Sequence, residues 1–224
     1  MMFAKDTLEK WQRELVLSLV PAQQTDVIPW VEKLLGFKLY PYQIAPILNQ
    51  LNSKSRQTTI IGTEQSAKST CWLAMVVYRM LFKKSAGWIV YPSDEKAEDV
   101  NREGLHPLIC RIPELEAKLN RKTFYGRRYD TKDGFVLDFS GAGADIISKP
   151  RVWAIADELD FWSLATKGEK LANLENLRKR LRVAAAKGTS HLVVCSAIKG
   201  QDSAVWTEFE KSSMGRWHLR CLNC

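Results

Sequence analysis

At 224 residues, 46% of them hydrophobic, the chain is long enough for one large α/β domain with a real core, or for a domain with a short appendage. Its 33 lysines and arginines against 25 acidic residues leave a formal net charge of +8, a balance that favours a polyanionic partner. No apolar run reaches the roughly 18 residues of a membrane span, and the opening MMFAKDTLEKWQREL carries acidic residues and lacks the apolar core of a secretory signal, so a cytoplasmic protein without membrane contact is expected.

The first predicted element is an amphipathic helix over residues 3–20, with Leu8, Trp11, Leu15 and Leu19 near helical spacing and Pro21 beyond its end. Through Gly36 the chain reads as a peripheral helical layer whose apolar face is Trp30, Val31, Leu34 and Leu35. Pro41-Tyr42-Gln43 follows within residues 39–53. A glutamine amide donates and accepts at once, so Gln43 can read the edge of an adenine with Tyr40 or Tyr42 packed nearby, or it can be a surface residue at a helix start.

Thr59, Ile60 and Ile61 then read as a buried strand, and Gly62, Thr63, Glu64, Gln65, Ser66, Ala67, Lys68 and Ser69 follow the order of a P-loop, G-x-x-x-x-G-K-S/T. That order supplies what a polyphosphate requires: converging backbone N–H groups, a helix N-terminus, one cation and one hydroxyl for Mg2+. Ala67 stands where the pattern has glycine, and its Cβ restricts the backbone. The plainer reading is a strand, a turn and a helix with a solvated lysine. Thr70 to Phe82 continues as a strongly apolar helix.

Trp88 to Tyr91 is a short strand closed by Pro92. Ser93 is the expected N-cap of a helix running toward Arg102, with Asp94 and Glu95 in its first turn. Leu105 to Leu119 reads as helical pieces broken at Pro107 and Pro113. From Asn120 to Lys132 the chain turns polar, basic and aromatic. Phe124, Tyr125 and Tyr129 interleave with Arg121, Lys122, Arg127 and Arg128, a mixture suited to phosphate-backbone contacts or to a solvated hairpin.

Gly134 to Ser140 reads as a strand, and Val152 to Ala156 as a buried strand running into Asp157-Glu158. Carboxylates at the carboxyl end of a parallel strand face the ligand crevice of an open α/β sheet. There the first can hold Mg2+ through water and the second can polarise an attacking water. Lys167 to Lys187 is a predicted helix with Leu171, Leu174, Leu177 and Leu181 on one face. The basic cluster Arg178, Lys179, Arg180 and Arg182 suits DNA phosphates, and also complements the helix dipole. His191 to Ser196 is a further core strand, with Ser196 at its end where a polar side chain can sense a γ-phosphate.

Of the five cysteines, Cys71, Cys110 and Cys195 lie in apolar segments and are expected as small buried hydrophobes. An odd count without a secretory signal argues against a disulfide framework. Cys221 and Cys224 form half of a zinc ribbon, with His218 nearby, so zinc is expected only if the chain continues past Cys224. The chain is read as a fragment cut at a domain border. Residues 1–38 would be an N-terminal helical segment, 39–216 the nucleotide-binding domain, and 217–224 the start of a linker or zinc-ribbon-like segment.

The ordered set PYQ, GTEQSAKST, WIVYPSDEKAEDVNREGLHPLI, SKPRVWAIADELD, VCSAIKG and CLNC resembles the large terminase subunit of tailed bacteriophages, in its lambda-like class, from about Leu39 to Cys224. The resemblance implies a three-layer α/β P-loop NTPase with a mostly parallel central sheet flanked by helices, and an ATPase motor that moves double-stranded DNA into a prohead. It implies adenine recognition by Gln43, a Walker A pair in Lys68 and Ser69, a Walker B pair in Asp157 and Glu158, and a coupling motif in Ser196 and Ala197. ATP and Mg2+ are the implied cofactors. DNA, a homo-oligomeric ring, a portal and a small terminase subunit are the implied partners, and a nuclease domain would lie beyond Cys224. Many terminases carry an arginine early in the Walker A loop, where this chain has Thr63-Glu64-Gln65. A transition-state arginine would then come from a neighbouring subunit, with Arg102, Arg127 and Arg128 as candidates. The rival readings are a helicase-like ATPase acting on nucleic acid, and a DNA-binding module with a decayed P-loop.

Overall fold

The computed structural model describes residues 27–51, 55–64, 66–83, 85–120, 127–143, 150–162, 166–187 and 190–216. The expected helix over residues 3–20, Gln65, Arg121, Lys122, Phe124, Tyr125, His218, Cys221 and Cys224 all lie outside them.

Six strands form one sheet: β1 (Gln57–Gly62), β2 (Gly87–Tyr91), β3 (Arg128–Asp130), β4 (Val136–Gly141), β5 (Trp153–Ala156) and β6 (His191–Ala197), in the order β1-β6-β5-β2-β4-β3. All neighbours are parallel except β3 and β4. β2 and β5 are buried along their whole length, as strands covered on both faces must be.

One face packs on α1 (Val27–Leu35), α2 (Pro41–Asn49) and α3 (Lys68–Phe82), where Ile28, Ile44, Trp72 and Met75 are fully buried. Trp30 of α1 meets Tyr78 and Phe82 of α3 edge-on, with ring centroids 5.5 and 5.9 Å apart. The other face packs on α7 (Lys167–Arg180) and α9 (Ala204–Glu210) through Leu174, Leu177 and Val205. This is the expected three-layer architecture, and the parallel strand directions gather the carboxyl ends at one edge of the sheet. Parallel pairing of Gly62 with Ala197 and of Ala156 with Val194 brings the carboxyl ends of β1, β6 and β5 side by side.

Ser93 caps α4 (Asp94–Val100), its hydroxyl accepting the Lys96 N–H at 3.2 Å. Pro107 does not break the chain into pieces. A π-helical turn, Asn101–Leu105, leads straight into α5 (His106–Cys110). The His106 N–H bonds to the Asn101 carbonyl, and the widened turn accommodates a proline ring that would clash in a regular helix. Pro113 instead opens α6 (Pro113–Glu116), as proline at a first turn can.

Three further expectations need correction. β1, expected as a buried strand at Thr59, Ile60 and Ile61, is an edge strand in which only Thr58 is buried. Cys110 is exposed, at the end of α5, with its Sγ 3.4 Å from His106 Nε2 one turn back. The single helix expected over residues 167–187 stops at Arg180 and resumes as α8 (Arg182–Ala186). Its turn tightens where the Leu181 N–H bonds to the Arg178 carbonyl at 3.0 Å.

Candidate functional site

The loop after β1 and the first turn of α3 form one wall of a cleft of about 400 Å3, lined by Glu64, Ser66–Thr70, Asp157, Glu158, Phe161 and Ala197. Residues from three strand ends therefore converge although they are far apart in sequence. The Ser69 hydroxyl donates to Asp157 Oδ2 at 2.9 Å. Asp157 reaches it from β5 across the end of the intervening β6. Lys68 folds over its own loop, its ammonium donating to the carbonyls of Gly62 and Thr63 at 3.3 and 2.5 Å and to Ser66 Oγ at 3.3 Å. A phosphate entering the cleft would compete with these bonds for the same cation.

Ala67 is the N-cap of α3 and sits at φ 56, ψ 27, in the left-handed region. The backbone thus adopts the shape for which the P-loop pattern has glycine, and the alanine Cβ bears the cost. Ala67→Gly is expected to stabilise the fold by about 0.5–1 kcal/mol, the relief of left-handed strain exceeding the added freedom of the unfolded chain. A urea unfolding midpoint that moves upward with unchanged slope would show it, and a lower midpoint would refute it.

Asp157 is buried. Burial raises its pKa, opposed by hydrogen bonds from Cys195, Ser69 and the Glu158 N–H. The Cys195 thiol donates to Asp157 Oδ1 at 2.7 Å, and burial followed by the nearby Asp157 charge pushes that thiol well up. Glu158 is half-buried, and its pKa is raised by burial and then by Asp157, against the lowering pull of Lys96 and Lys68. Ser69 and Asp157 set two hard oxygen ligands side by side, the donor type Mg2+ takes while keeping several waters and substrate oxygens. Among the described residues no group of three or more His, Cys, Asp or Glu could form an all-protein metal cage. A divalent cation would also relieve the buried charge on Asp157.

The other expected residues divide. Ser196 is fully buried behind the cleft; its hydroxyl donates to the Ala197 carbonyl at 3.0 Å and accepts the Asp160 N–H at 3.2 Å. Gln43 is buried at the start of α2, where its Oε1 accepts the Tyr40 N–H at 2.8 Å, and it does not line the cleft. The structure gives it a capping role, with Tyr40 and Tyr42 stacked alongside at 5.6 Å.

Several basic residues expected on DNA are used internally. Arg127 pairs with Asp94 and Glu98, Arg128 with Asp130 and Asp138, and Arg178 with Glu208 and Glu175. Arg102 pairs with Asp99 and Glu103 beside it. Lys179 and Arg182 are exposed and Arg180 is half-buried.

Sequence reasoning missed Cys195, Asp160, Phe161 and Trp162. Phe161 lines the cleft with Lys199 Nζ 3.9 Å from its ring centroid. The Trp162 indole N–H donates to the Asp157 carbonyl at 2.9 Å. Cys195 falls beside Asp157 only because β5 and β6 pair in parallel with Ala156 opposite Val194, a register no local pattern encodes.

The family model for the phage terminase large subunit gpA, ATPase domain, matches residues 34–224. The chain belongs to this family. The terminase ATPase domain also resembles solved structures, at identities that speak to fold alone. The large terminase ATPase domain of Thermus phage P74-26 superposes with a TM-score of 0.57 and 19% identity over 75% of this chain and 68% of that one. The HK97 bacteriophage large terminase gives 0.63 and 12%, over 83% of this chain and 40% of that one. The large terminase of the thermophilic bacteriophage D6E gives 0.53 and 11%, over 75% and 41%. This terminase domain therefore spans about two fifths of the HK97 and D6E chains. No curated protein matches it. Among the described residues of this domain no helix is long and apolar enough to cross a membrane.

Proposed function

We propose that this domain hydrolyses ATP to drive double-stranded DNA into a phage prohead. The observation that carries the reading is the Ser69–Asp157 hydrogen bond, which joins the first turn of α3 to the carboxylate pair that follows β5. Lys68 would leave its loop carbonyls to hold the β- and γ-phosphates, and Ser69 with Asp157 would hold Mg2+. The metal, when bound, supplies charge stabilisation at the transferring phosphoryl group. Glu158, at the cleft and with a raised pKa, would orient and deprotonate the attacking water. Ser196 would pass the state of the site from β6 to the rest of the domain.

In the same reading, residues 1–38 are an N-terminal segment on the ATPase domain 39–216, with 1–26 outside the described residues, and 217–224, likewise outside them, begin a linker or zinc-ribbon-like segment. Contacts between α1 and α3 support the first part. Lys179 and Arg182, free of the pairings that occupy Arg127, Arg128 and Arg178, are the described residues best placed to touch DNA phosphates without reading sequence. An arginine from a neighbouring subunit of a ring would complete the transition-state charge. The portal, the small terminase subunit and the host cytoplasm follow as the remaining setting.

Steady-state ATP hydrolysis measured against protein concentration, with and without double-stranded DNA, tests this. Specific activity is expected to rise with concentration, and Lys68→Ala to abolish both activity and tight nucleotide binding. Equal Mg-ATP binding by the native chain and Lys68→Ala, with no hydrolysis, would favour a DNA-binding module. Strand separation by a monomer would favour a helicase.

A further inference from the structure

Glu158 does not sit on β5 but two residues past the end of that strand, at φ 50 and ψ 44. A non-glycine residue in that region persists only where its surroundings over-determine it. Here the surroundings are the 3-10 turn Leu159–Phe161 that follows. Its Phe161 N–H closes back onto the Glu158 carbonyl at 2.8 Å. The residue that ties this turn to the domain is Asp160.

Asp160 is 3% exposed, and it is held from three directions. Its N–H donates to Ser196 Oγ at 3.2 Å, which fastens it to β6. Its carbonyl accepts the Lys170 ammonium at 2.6 Å, which fastens it to α7. Its Oδ1 accepts the N–H groups of Ala204 and Val205 at 2.8 and 3.1 Å, which fastens it to the start of α9. A buried carboxylate is costly unless it is used, and two backbone amides of a helix start are a use that alanine cannot supply.

Resting on the ATPase reading above, we propose that Asp160 is a positioning residue. It holds the Leu159–Phe161 turn so that Glu158 keeps its left-handed backbone over the cleft, and it links that geometry to Ser196 and α9. Movement of a water-activating group by as little as 1 Å is enough to suppress turnover without touching the nucleotide.

The test compares Asp160→Ala and Asp160→Asn with the native chain in kcat, in KM, in affinity for a non-hydrolysable ATP analogue with Mg2+, and in amide hydrogen exchange. Asp160→Ala is expected to lower kcat by about 10²-fold while analogue affinity stays within about threefold. Exchange should accelerate at residues 158–162 and at Ala204 and Val205, and remain native in the other strands. Asp160→Asn, which keeps an oxygen to accept the two amides, should recover most of kcat. Unchanged exchange in the turn overturns the proposal. So does native kcat in Asp160→Ala, or a parallel fall of kcat and affinity. If the native chain shows no turnover, the ATPase reading fails, and exchange still decides whether Asp160 holds the turn. Should Asp160→Ala not fold, Lys170→Met removes one tether from a half-exposed position. Faster exchange at residues 158–162 with lower kcat then supports the proposal, and native values of both overturn it.

Discussion

Glu158→Gln is expected to lower ATP turnover by about 10²–10⁴-fold, the range lost when a positioned general base is removed, while ATP binding stays near native. Glutamine keeps the size of the side chain and cannot accept a proton. The group it replaces lines the cleft beside Ser66–Thr70 and Asp157. Burial and the neighbouring Asp157 raise its pKa, which makes it a better base than an exposed carboxylate. Lys68→Ala should behave differently, because the lysine would contact the nucleotide in the ground state as well. Single-turnover hydrolysis and equilibrium binding, measured on both variants, separate the two roles. Turnover at the native rate in Glu158→Gln would remove it from the chemistry and direct attention to another group at the same strand ends.

Glu208→Ala is expected to destabilise the domain by about 3 kcal/mol, the lower end of what breaking a buried ion pair costs. Arg178 is 27% exposed and so retains some solvent, whereas the Glu208 side chain is fully buried. The carboxylate joins three elements. It accepts from Arg178 of α7, from Lys211 just after α9 at 2.9 Å, and from Gln57 Nε2 of β1 at 3.1 Å. Gln57 Oε1 in turn accepts from Arg178 at 2.9 Å. Its loss would leave the part-buried Arg178 guanidinium with only the neutral Gln57 Oε1 and the exposed Glu175 as partners.

Burial alone would raise the Glu208 pKa, but the bonds from Lys211, Gln57 and Arg178 outweigh it and hold the carboxyl below its ordinary value. The contribution is therefore complete above the ordinary carboxylate range and is lost as pH falls through the lowered value. Urea unfolding at neutral pH should show the full difference between native and variant, and the two curves should converge in acid. Arg178→Met combined with Glu208→Leu is expected to recover most of the loss, since apolar replacement of both partners leaves no unpaired charge. A destabilisation as large in strong acid as at neutral pH would assign the effect to packing instead of charge.

The Arg178–Glu208 pair also shows where reading a sequence stops. Arg178, Lys179, Arg180 and Arg182 are one basic cluster in the chain, and nothing local tells them apart. The turn of α7 sends Arg178 toward Glu208 and leaves Lys179 exposed. Gln43 shows the same limit from the other side. The amide that suits adenine also suits a helix start, and its Oε1 meets the Tyr40 N–H. Which of two sufficient uses a polar side chain has depends on neighbours brought by packing.

What the sequence determined by itself is whatever depends on residues within a turn or two of one another. The buried strands β2 and β5, the Ser93 cap, the loop from Gly62 to Ser69 and the carboxylate pair after β5 all follow from apolar runs, capping chemistry and short spacings. Even the left-handed backbone at Ala67 was implied by the pattern, which has glycine there. The tertiary structure alone decided the rest: the strand order that sets β6 between β1 and β5, the Cys195 thiol on Asp157, the tethers on Asp160 and the inward turn of Arg178. The side-chain contacts among these join residues 10 to 45 positions apart. Their partners are selected by sheet register and by the burial of polar groups that must be paired, and neither leaves a periodic trace in the chain.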